Sequence, residues 1–209
     1  MNNINVIFWD FDGVILDSMS IRNKGFELIF ADFDRKDVGK LLNFHKQNGG
    51  LSRYVKIKFF FEKILEKDIT QDEINYYADR FSKIMLKELG NNELLIKDSV
   101  TFIKKNYKKF NFHIVSGSDQ EELRILCDVL GIKKYFKTIN GSPSAKKELI
   151  KNILDDYNYN ADDCVLIGDS INDFDAAREN KIRFIGYNNN ELRDISWYYV
   201  DLFSSNKIF

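Results

Sequence analysis

Four short apolar runs, Ile4 to Trp9, Phe112 to Val115, Val165 to Ile167 and Phe184 to Gly186, each stop at a polar or glycine-containing turn. Helical patterns separate them, among them Gln120 to Leu130, closed by Gly131, and Lys147 to Tyr157. Buried strands alternating with helices imply crossover connections, and these pack as a parallel, doubly wound α/β sheet. Thr138-Ile139 supplies a further short strand and Tyr199 to Phe203 another at the far edge. The stretch from Ser18 to about Gly90 has a different character. Helical periodicity runs through Ile21 to Phe30, Tyr54 to Leu65 and Ile74 to Leu89, with Asn48-Gly49-Gly50 as a breaker and no convincing strand. That is too long for a single crossover, so residues 18–90 are expected to form an all-helical insertion in a core made of 1–17 and 91–209.

Charge and cysteine content narrow the class. The chain has 209 residues, with 31 Lys and Arg against 32 Asp and Glu, so its net charge of -1 gives no reason to expect nucleic acid or an anionic membrane as partner. Cys127 and Cys164 lack a C-x-x-C partner, which argues for a reducing compartment and against a disulfide or zinc site. No apolar stretch approaches the ~20 residues of a membrane span. The N-terminal run is broken by Asp10 and Asp12 and has no basic region before it, unlike a secretory leader. A soluble, cytoplasmic protein is expected.

Chemistry concentrates where the apolar runs end. In Trp9-Asp10-Phe11-Asp12-Gly13-Val14-Ile15-Leu16-Asp17-Ser18 two carboxylates two residues apart follow a strand. Ionised together they repel, so they need a shared proton or a cation. Gly13 lets the backbone turn sharply away. The second run ends in Ser116-Gly117-Ser118, where Ser118 with Glu121 has the pattern of a capping box and the following helix start favours an anion. The third element, Gly141-Ser142-Pro143-Ser144-Ala145-Lys146-Lys147, opens a helix on which adjacent lysines point about 100° apart, so only one can face a site. The fourth, Gly168-Asp169-Ser170-Ile171-Asn172-Asp173, places two acids four residues apart. Magnesium takes such oxygen ligands and needs only one or two carboxylates beside a phosphate. Asp175, two residues further along the helix, is expected at the surface, and His45 and His113 are expected to be structural.

These four segments, in this order, resemble motifs I to IV of the haloacid dehalogenase superfamily, whose phosphatases and phosphomutases carry D-x-D-G. The resemblance covers nearly the whole chain and implies a Rossmannoid core with a helical C1 cap inserted after motif I. It implies Asp10 as the nucleophile that forms an aspartyl phosphate, Asp12 as acid and base, and Ser116 and Gly117 as phosphate-binding residues. Lys146, matching the motif III lysine, would offset phosphoryl charge. Magnesium would be held by Asp10, Asp169, Asp173 and the carbonyl of Asp12. Within the insertion, Gly50-Leu51-Ser52-Arg53 is similar to the G-x-S-R segment of β-phosphoglucomutase-like members, which makes Arg53 a candidate substrate contact, with Lys56 one turn away. Arg22, however, stands where those enzymes have a histidine. The function implied is a magnesium-dependent phosphatase acting on a small phosphorylated metabolite, such as a sugar phosphate or phosphoglycolate-like ester. A sugar-phosphate mutase and a non-catalytic binding protein on the same fold are the alternatives. Dehalogenation is disfavoured because Asp12 is present.

Overall fold

A computed structural model describes residues 4–204 of the chain. The elements run β1 (Val6–Trp9), α1 (Met19–Ile29), α2 (Arg35–Gln47), α3 (Arg53–Phe59), α4 (Gln71–Glu88), α5 (Lys97–Asn106), β2 (Asn111–Asp119), α6 (Gln120–Val129), β3 (Thr138–Ser142), α7 (Lys146–Asp156), β4 (Cys164–Gly168), α8 (Ile171–Glu179), β5 (Arg183–Tyr187) and β6 (Tyr198–Val200). The six strands form one parallel sheet in the order β3-β2-β1-β4-β5-β6. β1 lies at its centre, and the chain winds outward from it in both directions. The carboxyl ends of β1, β2 and β4 therefore flank a topological switch point, where open α/β sheets form their ligand crevice.

Alternation along β1 shows why its sequence belongs at the centre. Val6 and Phe8 pack on one face with Ile150, Ile153 and Ala177, while Ile7 and Trp9 pack on the other with Ile103, Leu123 and Leu126. Both faces are covered, so the strand reads as a continuous apolar run. Each such side chain contributes about 1.5–3 kcal/mol by leaving water.

Between β1 and β2 the chain builds α1 to α5 without an intervening strand. α1 to α4 form a helical unit whose aromatic interior pairs Phe26 with Phe81 at 4.5 Å and Phe30 with Phe60 at 4.3 Å. Thr70 starts α4 with a capping box to Glu73. The two connections between this unit and the sheet run side by side: Asp17 N-H donates to Leu94 O at 2.8 Å, and Ile96 N-H to Ile15 O at 2.9 Å. Among the described residues, no helix is long and apolar enough to cross a membrane.

Three local expectations need correcting. α2 had no counterpart in the periodicity reading, although Val38, Leu41 and His45 are its buried face and Asp34 caps it through Lys36 N-H. The single helix expected over Tyr54 to Leu65 is α3 followed by a π-helical turn, Phe60–Ile64. The cap of α6 is Asp119, not Ser118: β2 continues through Ser118, and Asp119 accepts from the N-H groups of Glu121 and Glu122.

Candidate active site

Asp10 follows the last residue of β1 and remains in register, its N-H donating to Ile167 O of β4 at 2.9 Å. Asp169 follows β4, and Asp173 sits in the first turn of α8, where the N-H and hydroxyl of Ser170 donate to its carboxylate at 3.0 and 2.6 Å. The three acids each offer an oxygen within 4.8 Å of the others. Gly13, at φ +74°, makes this possible, since a Cβ there would lie 1.9 Å from Asp169 Oδ2. Lys146, at the start of α7, completes the group, reaching Asp10 Oδ1 at 2.9 Å and also pairing with Asp173. Lys147 instead points outward to Glu179 at 3.0 Å.

This group carries more negative than positive charge in a buried place. Burial, reinforced by Asp173, pushes the Asp10 carboxyl up to about 7. Burial together with Asp10 and Asp173 raises Asp169 well above the usual carboxylate range. Burial opposes the charge on Lys146, but Asp10 and Asp173 outweigh it and raise its value. Three hard oxygen donors against one ammonium suit a divalent cation, which would remove the repulsion that raises Asp10 and Asp169.

Asp12 has a different environment. Its carboxylate accepts from the hydroxyl of Ser18, from Arg22 Nε at 2.6 Å and from the hydroxyl of Ser118 at 2.6 Å. Burial alone would raise its value, but Arg22, Ser118 and Ser18 together hold it below the ordinary range. Ser116 is buried, its hydroxyl accepting from Ser118 N-H at 3.1 Å.

The helical unit closes directly over this edge of the sheet. A Cβ on Gly117 would lie 2.4 Å from Gly50 O, so the backbones touch where a side chain would not fit. Tyr54 donates to Asp119 at 2.8 Å across the same boundary. Arg22 of α1 and Arg53 of α3 converge on Glu122 of α6, at 3.1 and 2.6 Å. Arg53 also donates to Ser82 and lies 4.7 Å from the centre of the Phe81 ring. With His45 and Lys56, these arginines line a narrow cavity that reaches Asp12.

Sequence reasoning passed over Glu122 and the contacts of Arg22 with Glu122 and Ser118, because these bridge about a hundred residues and leave no local spacing signal. His113 has a structural setting: its ring meets Thr138 Oγ1 at 2.8 Å and the Tyr159 hydroxyl at 3.3 Å. His45 does not fit that description, since neither ring nitrogen has a hydrogen-bond partner among the described residues. Asp175 lies outside the acid cluster and pairs with Arg178 at 2.8 Å.

Among solved structures, a variant of CbbY from Rhodobacter sphaeroides in complex with xylulose-(1,5)bisphosphate superposes with a TM-score of 0.78 at 15% identity, covering 97% of this chain and 96% of that one. The β-phosphoglucomutase of Clostridium difficile superposes at 0.75 with 18% identity, covering 98% and 94%. YfnB of Bacillus subtilis, bound to magnesium, gives 0.71 with 15% identity, covering 97% and 96%. At these identities the likeness is one of fold. No curated protein matches the chain. The sequence profile of the haloacid dehalogenase-like hydrolases does match, over residues 6–187, and that span holds every acid of the cluster together with Asp12 and Lys146. This chain therefore belongs to the haloacid dehalogenase-like hydrolases.

Proposed function

We propose that the protein is a magnesium-dependent phosphatase that hydrolyses small phosphate monoesters through an aspartyl phosphate on Asp10, with residues 18–90 acting as a cap. The observation that carries this reading is the pairing of two unlike carboxylates: Asp10 in the acid cluster beside Lys146, and Asp12, two residues on, held apart from it by hydrogen bonds. Asp10, Asp169 and Asp173 would hold the cation, with the Asp12 carbonyl as a further ligand. Bound there, the ion would neutralise these acids and the phosphoryl oxygens.

In the first step an oxygen of Asp10 attacks phosphorus, the bond to the ester oxygen breaks, and Asp12 gives its proton to the departing alkoxide. In the second, Asp12 takes a proton from water, the water oxygen bonds to phosphorus, and the Asp10 to phosphorus bond breaks. Lys146 stays within reach of Asp10 and offsets the charge on the group being transferred. Ser116 and Gly117, at the end of β2, are assigned to the phosphate. Arg22 holds Asp12 as the anion, the form needed for the second step, so substrate must draw Arg22 aside before Asp12 can serve as acid.

The cap assignment is supported by the close approach of Gly50 to Gly117, which seats the helical unit against the sheet edge that carries the acids; a cap so placed would limit bulk water and favour small substrates. It is consistent with the interdomain movement described for YfnB. Two free, buried cysteines fit a cytoplasmic location. The test is phosphate release from a panel of small phosphate esters with magnesium and with chelator. Release that depends on magnesium supports the reading, and a requirement for a sugar bisphosphate primer would favour a mutase.

A further inference from the structure

Arg22, Arg53 and Lys56 bring three positive charges into the cavity under the helical unit, and Asp12 and Glu122 bring two negative ones. The arginines are matched: Arg22 pairs with Asp12 and Glu122, and Arg53 pairs with Glu122. Lys56 is left over. It is 3% exposed, its ammonium donates to Gly49 O at 3.0 Å, and among the described residues no carboxylate forms an ion pair with it. Burial, aided by Arg22, pushes its value down to about 7. A buried cation without a counter-charge is costly, and an anionic ligand that supplied the charge would relieve that cost.

His45 is an independent observation at the same cavity. Its ring is 1% exposed and packs edge-on against Phe26 at 5.0 Å, yet among the described residues neither nitrogen has a partner. Leaving a buried polar group unsatisfied costs about 1–3 kcal/mol, and a purely structural histidine would be hydrogen-bonded, as His113 is. The cavity between these residues and Asp12 holds only about 20 Å³, close to one water, so a larger ligand would need the helical unit to move away from the sheet to enter.

We propose that Lys56 and His45 form a subsite for a second, negatively charged group on the leaving alcohol, so that the preferred substrates are small phosphate esters carrying a carboxylate or a further phosphate. This rests on the phosphatase reading and adds the charge of the leaving group to it. Arg22 and Arg53 line the wall beside the subsite, already oriented by Glu122. An anion arriving there also competes with Asp12 for Arg22, which links recognition of the leaving group to release of the acid.

The experiment measures binding without turnover, so that it does not depend on catalysis. Calorimetry with magnesium would compare plain alkyl phosphonates with ω-carboxyalkyl phosphonates and alkyl bisphosphonates of matched chain length. The expected result is that at least one charged compound binds about tenfold or more tightly than its plain counterpart, and that Lys56→Met and His45→Phe each reduce that ratio. Preference for the carboxylate or for the bisphosphonate identifies which anion the subsite takes. Equal binding of charged and plain compounds by the wild-type protein overturns the proposal, even if the variants fail to fold. Phosphate esters are the second arm. Hydrolysis of plain and charged esters at equal kcat/KM sinks the subsite but leaves the phosphatase reading intact, whereas charge-selective binding with no hydrolysis of any ester does the reverse.

Discussion

Arg22 Nε, on the first helix after β1, donates to Asp12 Oδ1 at 2.6 Å, and the same guanidinium reaches Glu122 Oε1 at 3.1 Å. One side chain thus joins the helical unit, the proposed acid and base, and α6. Arg22→Met would leave Asp12 without its cation and Glu122 with Arg53 alone, and breaking a buried pair costs about 3–5 kcal/mol. Denaturant unfolding is expected to show a loss of that order. Asp12, released from Arg22, would titrate at higher pH, so the acid limb of the kcat profile should move upward. An unmoved limb with unchanged stability would mean that the contact is incidental.

Gly117 and Gly50 set how closely the helical unit seats. A Cβ at 117 would stand 2.4 Å from a backbone oxygen, which cannot swing aside as a flexible side chain could. Gly117→Ala should hold the cap ajar, with a larger radius of gyration in small-angle scattering and a fall of about tenfold or more in kcat/KM. Wild-type scattering and kinetics would refute a closure role for this contact.

Repulsion among Asp10, Asp169 and Asp173 leads to a prediction about metal that is independent of activity. Magnesium at 100 times its dissociation constant should stabilise the fold by about 2.7 kcal/mol over protein in chelator. Asp169→Asn should abolish the increment while stabilising the chelated protein, because it removes one of the repelling charges. Thermal scans at several magnesium concentrations check both.

Lys56 titrates near 7 when folded and in the ordinary range, near 10.5, when unfolded. Across that window the unfolded chain binds the extra proton, so this group makes stability rise with pH and subtracts from it below pH 7. Lys56→Met should remove the rise and increase Tm at pH 6 by a few degrees. Parallel stability curves for the two proteins would show that Lys56 is not desolvated as described.

The core was legible because its signals are local. Each strand that carries chemistry is a short apolar run stopped by the acid, serine or glycine it presents, and Gly13, Asp169 and Asp173 announce themselves by spacing. Lys146 could be told from Lys147 by helix geometry and by the motif. What escaped were contacts made only by closure. Glu122 sits in an ordinary amphipathic helix, His45 on a helix whose interior Gly39 and charged face masked its periodicity, and Ser118 looked like a cap because nothing nearby reveals that Asp12 takes its hydroxyl. Pairings between α1, α3 and α6 depend on how the helical unit lies over the sheet, which one-dimensional periodicity does not encode.

Asp10 as nucleophile is the claim on which the rest depends. Its most direct measurement is to quench the protein with borohydride during turnover of a small phosphate ester and locate the reduced residue by peptide mass spectrometry. An aspartyl phosphate would be reduced to homoserine, so the account predicts homoserine at position 10, absent without substrate and absent in Asp10→Asn, which should fold normally and lose turnover by about 10³-fold or more. Steady phosphate release with residue 10 unmodified, or with the modification at another residue, would contradict it.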